Sequence, residues 1–142
     1  MDKIYAYGIC LYKIRDNNVE ILLCRSTHSK IKWGFLKGSS TAKENRVQTA
    51  IREFEEESGI KVDPSLLEKY YEQQNSKKDI GIFLVNFDKI DGIEKYFSNN
   101  RLKFEYICFE NDDVRFFNID NLPPIKKKQK DIVDNIIKYF KD

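Results

Sequence analysis

The sequence predicts an α/β fold in one domain spanning residues 1–142, with a mixed β-sheet held between two helices. Three observations carry that prediction. Apolar runs rich in β-branched and aromatic residues occupy both halves of the chain, one amphipathic helical pattern separates them, and a second closes the sequence.

The first run, Ile4 to Ile14 (IYAYGICLYKI), is followed by the turn-like RDNN and a second run from Val19 to Cys24, the pattern of a β-hairpin. Trp33 to Phe35 suggests a short third strand ending at Gly38. From Asn45 the period changes. Val47, Ala50, Ile51 and Phe54 fall at i, i+3, i+4 and i+7, which predicts a helix with one apolar face. Two starts compete, since Thr41–Glu44 and Asn45–Gln48 both have capping-box character. Gly59 supplies the stop, where a left-handed C-terminal cap favours glycine. Strands are then expected near Glu68–Gln73, at Ile80–Phe87, around Leu102–Phe109 and at Val114–Phe117, with a mixed connection at 88–100. Pro123 and Pro124 are expected to open a final helix, with Ile125, Ile132, Val133, Ile136, Ile137 and Phe140 as its apolar stripe.

Composition excludes several classes. An apolar fraction of 41% with 13% aromatics suits a packed core, and the 34% charged residues nearly cancel to +2. A chain that wraps nucleic acid over its whole surface is therefore not expected, though a local basic patch is allowed. Three dispersed cysteines, Cys10, Cys24 and Cys108, lack zinc-site spacing, and with no signal peptide they point to a reducing, cytoplasmic setting. No apolar segment approaches the ~20 residues of a membrane span. The single histidine, His28, lies in a polar turn, which excludes a zinc catalyst or a His-based triad.

The charged helix raises the functional question. REFEEESG places Glu53, Glu55, Glu56 and Glu57 beside Arg52, and each exposed like-charge pair at i,i+4 costs roughly 0.2–0.5 kcal/mol. At 100° per residue, Glu53, Glu56 and Glu57 share a sector of about 100° away from the core stripe, while Glu55 points elsewhere. Arg52 is spaced to pair with Glu56. Such a set meets the need of a hard divalent ion for a few oxygen ligands with room for water and phosphates. A glycine at position 38 allows close backbone approach. The chemistry suggested is attack of water on a phosphoanhydride, with one glutamate taking the proton. The plain alternative is a solvated helix face.

Gly38, five residues, Glu44, seven residues and then Arg52-Glu53-Phe54-Glu55-Glu56-Glu57-Ser58-Gly59-Ile60 resembles the Nudix box, G-x5-E-x7-R-E-U-x-E-E-x-G-U, at every specified position. The resemblance implies a Nudix-type α/β/α sandwich with a mixed central sheet. It further implies Mg2+, with Mn2+ as a substitute, held by Glu53, Glu56, Glu57 and the Gly38 carbonyl. Glu53 and Glu57 would be catalytic, with Arg52 and Glu44 bracing loop and helix. One more acidic ligand is often drawn from a later segment. Glu110 in the run Glu110-Asn111-Asp112-Asp113 is its expected source, and Glu105 the second choice.

Trp33-Gly34-Phe35-Leu36-Lys37-Gly38 resembles the W-x-x-P-K-G approach to the box in diadenosine tetraphosphate hydrolases and mRNA-decapping enzymes, departing at Leu36 and, just after it, at Ser39. Lys37 is the expected phosphate contact and Trp33 a base contact or core aromatic. The expected activity is cleavage of a nucleoside polyphosphate, with a dinucleoside polyphosphate such as diadenosine tetraphosphate favoured. An RNA-decapping or RNA 5′ pyrophosphohydrolase would use Lys126, Lys127, Lys128 and Lys130 at the start of the last helix against phosphates. A non-catalytic nucleotide-binding module is the third reading.

Overall fold

The computed structural model describes residues 2–29 and 31–142. The expected hairpin is there. Strands β1 (Ile4–Arg15) and β2 (Asn18–Ser26) pair antiparallel through Arg15 and Asn18, and the two turn residues Asp16 and Asn17 both adopt left-handed φ values, 51° and 68°. That backbone matches the twist of the flanking strands.

Strand β1 organises the sheet. On one edge it pairs parallel with β5 (Lys78–Asn86); on the other its first half pairs with β3 (Leu36–Ser39) and its second half with β2. Strand β4 (Tyr70–Gln73) extends the β5 edge, and β8 (Asn111–Asn118), β7 (Arg101–Leu102) and β6 (Phe97–Ser98) extend the β2 edge. Because successive strand residues face opposite ways, each strand feeds two cores. Ile9, Leu11, Leu22, Phe83 and Val85 pack towards α1 (Arg46–Ser58), whereas Cys10, Tyr12, Leu23, Ile82 and Leu84 pack towards α2 (Lys130–Lys141). The result is a mixed sheet between two helices. No helix among the described residues is long and apolar enough to cross a membrane.

Three elements differ from the sequence reading. The third strand begins at Leu36, because Trp33 and Gly34 form single bridges to Ile125 and Cys24 instead. The segment expected as a strand at 102–109 folds into a 3-10 turn at Phe104–Tyr106, because Tyr106 and Ile107 pack back onto the α1 side of the core. The Tyr106 ring lies over Gly59, whose φ of 77° and missing side chain are both required there. The last helix starts at Lys130 rather than at the prolines. The Pro124 carbonyl accepts from Trp33 N–H at 2.9 Å and Lys126 N–H donates to the Trp33 carbonyl at 2.9 Å, so Ile125 lies in an extended bridge and off the helical stripe.

Candidate active site

The sheet delivers Gly38 and α1 delivers the carboxylates. Of the two competing helix starts, Asn45 is the cap. Its side chain accepts from Gln48 N–H at 2.8 Å and its own N–H donates to the Gln48 side chain at 2.9 Å. Glu44 is left free to do something else. Its carboxylate accepts from the Thr49 hydroxyl at 3.0 Å and from Arg52, and those bonds hold it down to about 2.

Arg52 places all five of its N–H donors. Nε and Nη2 bind Glu44 at 2.6 and 3.0 Å, Nη1 binds Glu53 and Glu56 at 2.9 Å each, and Nη2 also reaches the Ser39 carbonyl at 3.1 Å. A lysine has three donors at one point and cannot span these partners. One guanidinium therefore fixes the loop, the third strand and two box carboxylates relative to one another.

Glu53 is pressed against the third strand. A Cβ at position 38 would overlap its carboxyl carbon and both oxygens, so only glycine leaves that space. Burial raises the Glu53 carboxyl above the ordinary range, opposed by Arg52 and reinforced by Glu56. Glu57, one turn on, accepts from the Asn111 amide at 3.1 Å. Burial pushes it up to about 7, with Asn111 opposing and the Glu53 charge adding. Lys37 lies nearby on β3, lowered by burial and then by the neighbouring charges of Lys78 and Lys126.

Glu57 lines a cavity of about 150 Å³ with Lys37, Glu110, Asn111, Lys126 and the exposed His28. The structure thus brings Glu110 to the same cavity as Glu57. Glu105 lines a different surface hollow with Arg101 and Asp113. Glu56 stands at the exposed rim, and Glu55 points to solvent on another face. Trp33 is in the core at 6% exposure, its ring edge-on to Phe117 at 4.8 Å, and offers no free face to a base.

One residue escaped the sequence reading and another was expected in a different setting. Asn111 sits inside the acidic run yet contributes an amide, and Lys126 belongs to the basic run expected at the start of the last helix. The structure instead places Lys126–Lys128 on a turn before α2, against the site, while Lys130 pairs with Asp134 on α2. Among the described residues no three acidic, histidine or cysteine side chains form a closed ligand cage. The donor set nevertheless fits a magnesium ion, which takes few protein ligands. Burial drives the Glu53 and Glu57 carboxylates towards protonation, which a bound cation would reverse, and the Gly38 backbone meets Glu53 with no side chain between.

The geometry can be set beside known proteins. The NUDIX domain family matches residues 4–136. No curated protein matches the sequence. Solved structures of the same fold include a binary complex of the C. elegans Ap4A hydrolase, 18% identical with a TM-score of 0.58 over 82% of this chain and 81% of that one. The NUDIX domain of Shewanella oneidensis NrtR, crystallised with ADP ribose, is 12% identical with a TM-score of 0.67 over 98% and 89%. A MutT studied from Aliivibrio salmonicida and Vibrio cholerae is 20% identical with a TM-score of 0.65 over 97% and 98%. Identities this low carry the fold alone, and the family follows from the matched domain. With its mixed sheet between two helices and its carboxylates gathered on α1, the chain belongs to the Nudix domain family and is a hydrolase acting on pyrophosphate bonds.

Proposed function

We propose that this chain is a magnesium-dependent pyrophosphohydrolase of nucleoside polyphosphates, acting on dinucleoside polyphosphates such as diadenosine tetraphosphate. One observation carries the reading: Glu57 and Glu110 meet two lysines, Lys37 and Lys126, around one cavity, with Glu53 one turn before Glu57 on α1. Acidic oxygens suit a divalent ion, and ammonium groups suit the phosphates of a substrate. The position of Lys37 directly before Gly38, which resembles the approach to the box in diadenosine tetraphosphate hydrolases, supports a dinucleoside substrate, and an Ap4A hydrolase is among the proteins that share the fold.

In the reaction, a water oxygen forms a bond to one phosphorus while the bridging P–O bond breaks. The water's proton passes to a carboxylate and the departing phosphate leaves with the bridging oxygen. A bound Mg2+ supplies charge neutralisation at the phosphate oxygens. Arg52 holds Glu53 and Glu56 in fixed positions, Glu57 takes the proton near neutral pH, and Glu110 completes the acidic rim. Lys37 and Lys126 orient the phosphates so that the scissile bond faces the water.

The test is a screen of polyphosphate nucleotides with product identification, including dinucleosides, ADP ribose, oxidised triphosphates and capped RNA. Diadenosine tetraphosphate is expected to give two nucleotide products with Mg2+ and none with a chelator. Hydrolysis of none of the compounds, or a preference for capped RNA over every free nucleotide, would overturn the proposal.

A further inference from the structure

A second cavity, of about 360 Å³, adjoins the first, and among the described residues all of its charged lining is cationic: Lys32, Lys37, Lys78, Lys126, Lys127 and Lys128. Lys37, Lys126 and Gln129 line both cavities, so the two share a wall. Among the described residues none of the six lysines forms an ion pair with an acidic side chain. The neighbouring acid, Asp79, is committed elsewhere, accepting from Lys3 at 3.0 Å and from Asn75 N–H at 2.9 Å.

The lysines come from separate parts of the chain and are held together by amide side chains, two of them buried. Gln129, 3% exposed, accepts from Phe35 N–H at 2.7 Å, and Gly34 makes room for it, since a Cβ there would lie 2.6 Å from the Gln129 oxygen. Gln73 donates to the Lys127 carbonyl at 3.1 Å, Asn75 donates to the Lys128 carbonyl at 3.1 Å, and Lys126 N–H donates to the Trp33 carbonyl at 2.9 Å. Three carboxamide side chains and a glycine thus fix a turn whose lysines line one cavity with Lys78 of β5 and Lys37 of β3. Two unit charges 4 Å apart repel by about 1 kcal/mol even in water, so this arrangement is built against its own electrostatics. An anion of several charges offsets it.

We propose that this cavity is a subsite for a cluster of three or more phosphates on the part of the substrate that is not cleaved. The inference rests on the phosphoanhydride reading above and narrows its substrate class to compounds with long or dense polyphosphate groups. Among the described residues the lining holds no aromatic ring and Ile80 is its one large apolar side chain, so it takes phosphates and not a base. The scissile bond then lies at the glutamates and the remaining phosphates among the lysines.

The experiment compares wild type with Lys78→Ala/Lys127→Ala and with Lys61→Ala/Lys138→Ala, two exposed lysines elsewhere that give the same change in net charge. Inorganic tripolyphosphate is titrated calorimetrically into each protein without metal, and KM and kcat are measured for diadenosine pentaphosphate and ADP ribose. Tripolyphosphate affinity is expected to fall at least tenfold in the cavity variant alone. KM for the pentaphosphate should rise by a similar factor and more than KM for ADP ribose, with kcat changing less. Equal affinity in wild type and cavity variant, or equal losses in both variants, would overturn the subsite. So would a 5′-phosphorylated oligoribonucleotide that outcompetes tripolyphosphate and depends on the same lysines. If tripolyphosphate binding is lost only in the cavity variant while no nucleotide is hydrolysed, the subsite stands and the catalytic proposal falls.

Discussion

Glu57→Gln is expected to lower kcat by about 10²–10⁴-fold and, in metal-free protein at pH 8, to raise the melting temperature. The two effects have one cause. Burial and the Glu53 charge push the folded Glu57 carboxyl from its ordinary 4.5 up to about 7. Below pH 4.5 it is protonated folded and unfolded, and it costs nothing. Above 4.5 the unfolded chain ionises first, so folding loses stability until the folded group has titrated near pH 7. At pH 8 the full penalty is present, on the order of 3 kcal/mol. Glutamine keeps an oxygen for the Asn111 amide but cannot ionise, so it removes the penalty together with the proton acceptor. Thermal melts from pH 4 to 8 check this: the two proteins should coincide at the acid end and separate above pH 5. A variant that melts lower than wild type at pH 8 would show that the burial cost is not there.

Gly38→Ala is expected to reduce kcat by at least about 10²-fold, the scale on which a misplacement of about 1 Å acts. The added methyl occupies the position of the Glu53 carboxyl. Glu53 cannot swing away at no cost, because Arg52 ties it to Glu44, Glu56 and the Ser39 carbonyl. Overpacking of this kind also destabilises by ~1–3 kcal/mol. Steady-state kinetics with a denaturant melt separate the two losses, and wild-type turnover would refute the contact between strand and carboxylate.

The parts of this site that lie on one helix were legible in the sequence. Helical geometry alone places Glu53, Glu56 and Glu57 on one side and Glu55 on another, and Asn45, Gln48 and Gly59 mark the helix ends by local chemistry. The hairpin turn at Asp16–Asn17 was readable because long alternating strands flank it. The same left-handed pair recurs at Asn99–Asn100, where the flanking strands are two residues each and give no period to read. Partners from distant segments were not legible. Asn111 meets Glu57 across 54 positions, through the pairing of β8 with β2. Lys126 reaches the site because Ile125 bridges Trp33, an event that also moves the start of α2 and settles Trp33, read as either a base contact or a core aromatic, into the core.

Carboxylates on α1 holding a divalent cation are the foundation of this account. The most direct measurement is the melting temperature of nucleotide-free protein at pH 8 as Mg2+ is raised, in wild type and in Glu53→Gln/Glu57→Gln. Wild type should gain stability with Mg2+ in proportion to RT ln(1 + [Mg2+]/Kd), and the double variant should not respond. Identical curves for the two proteins would contradict it.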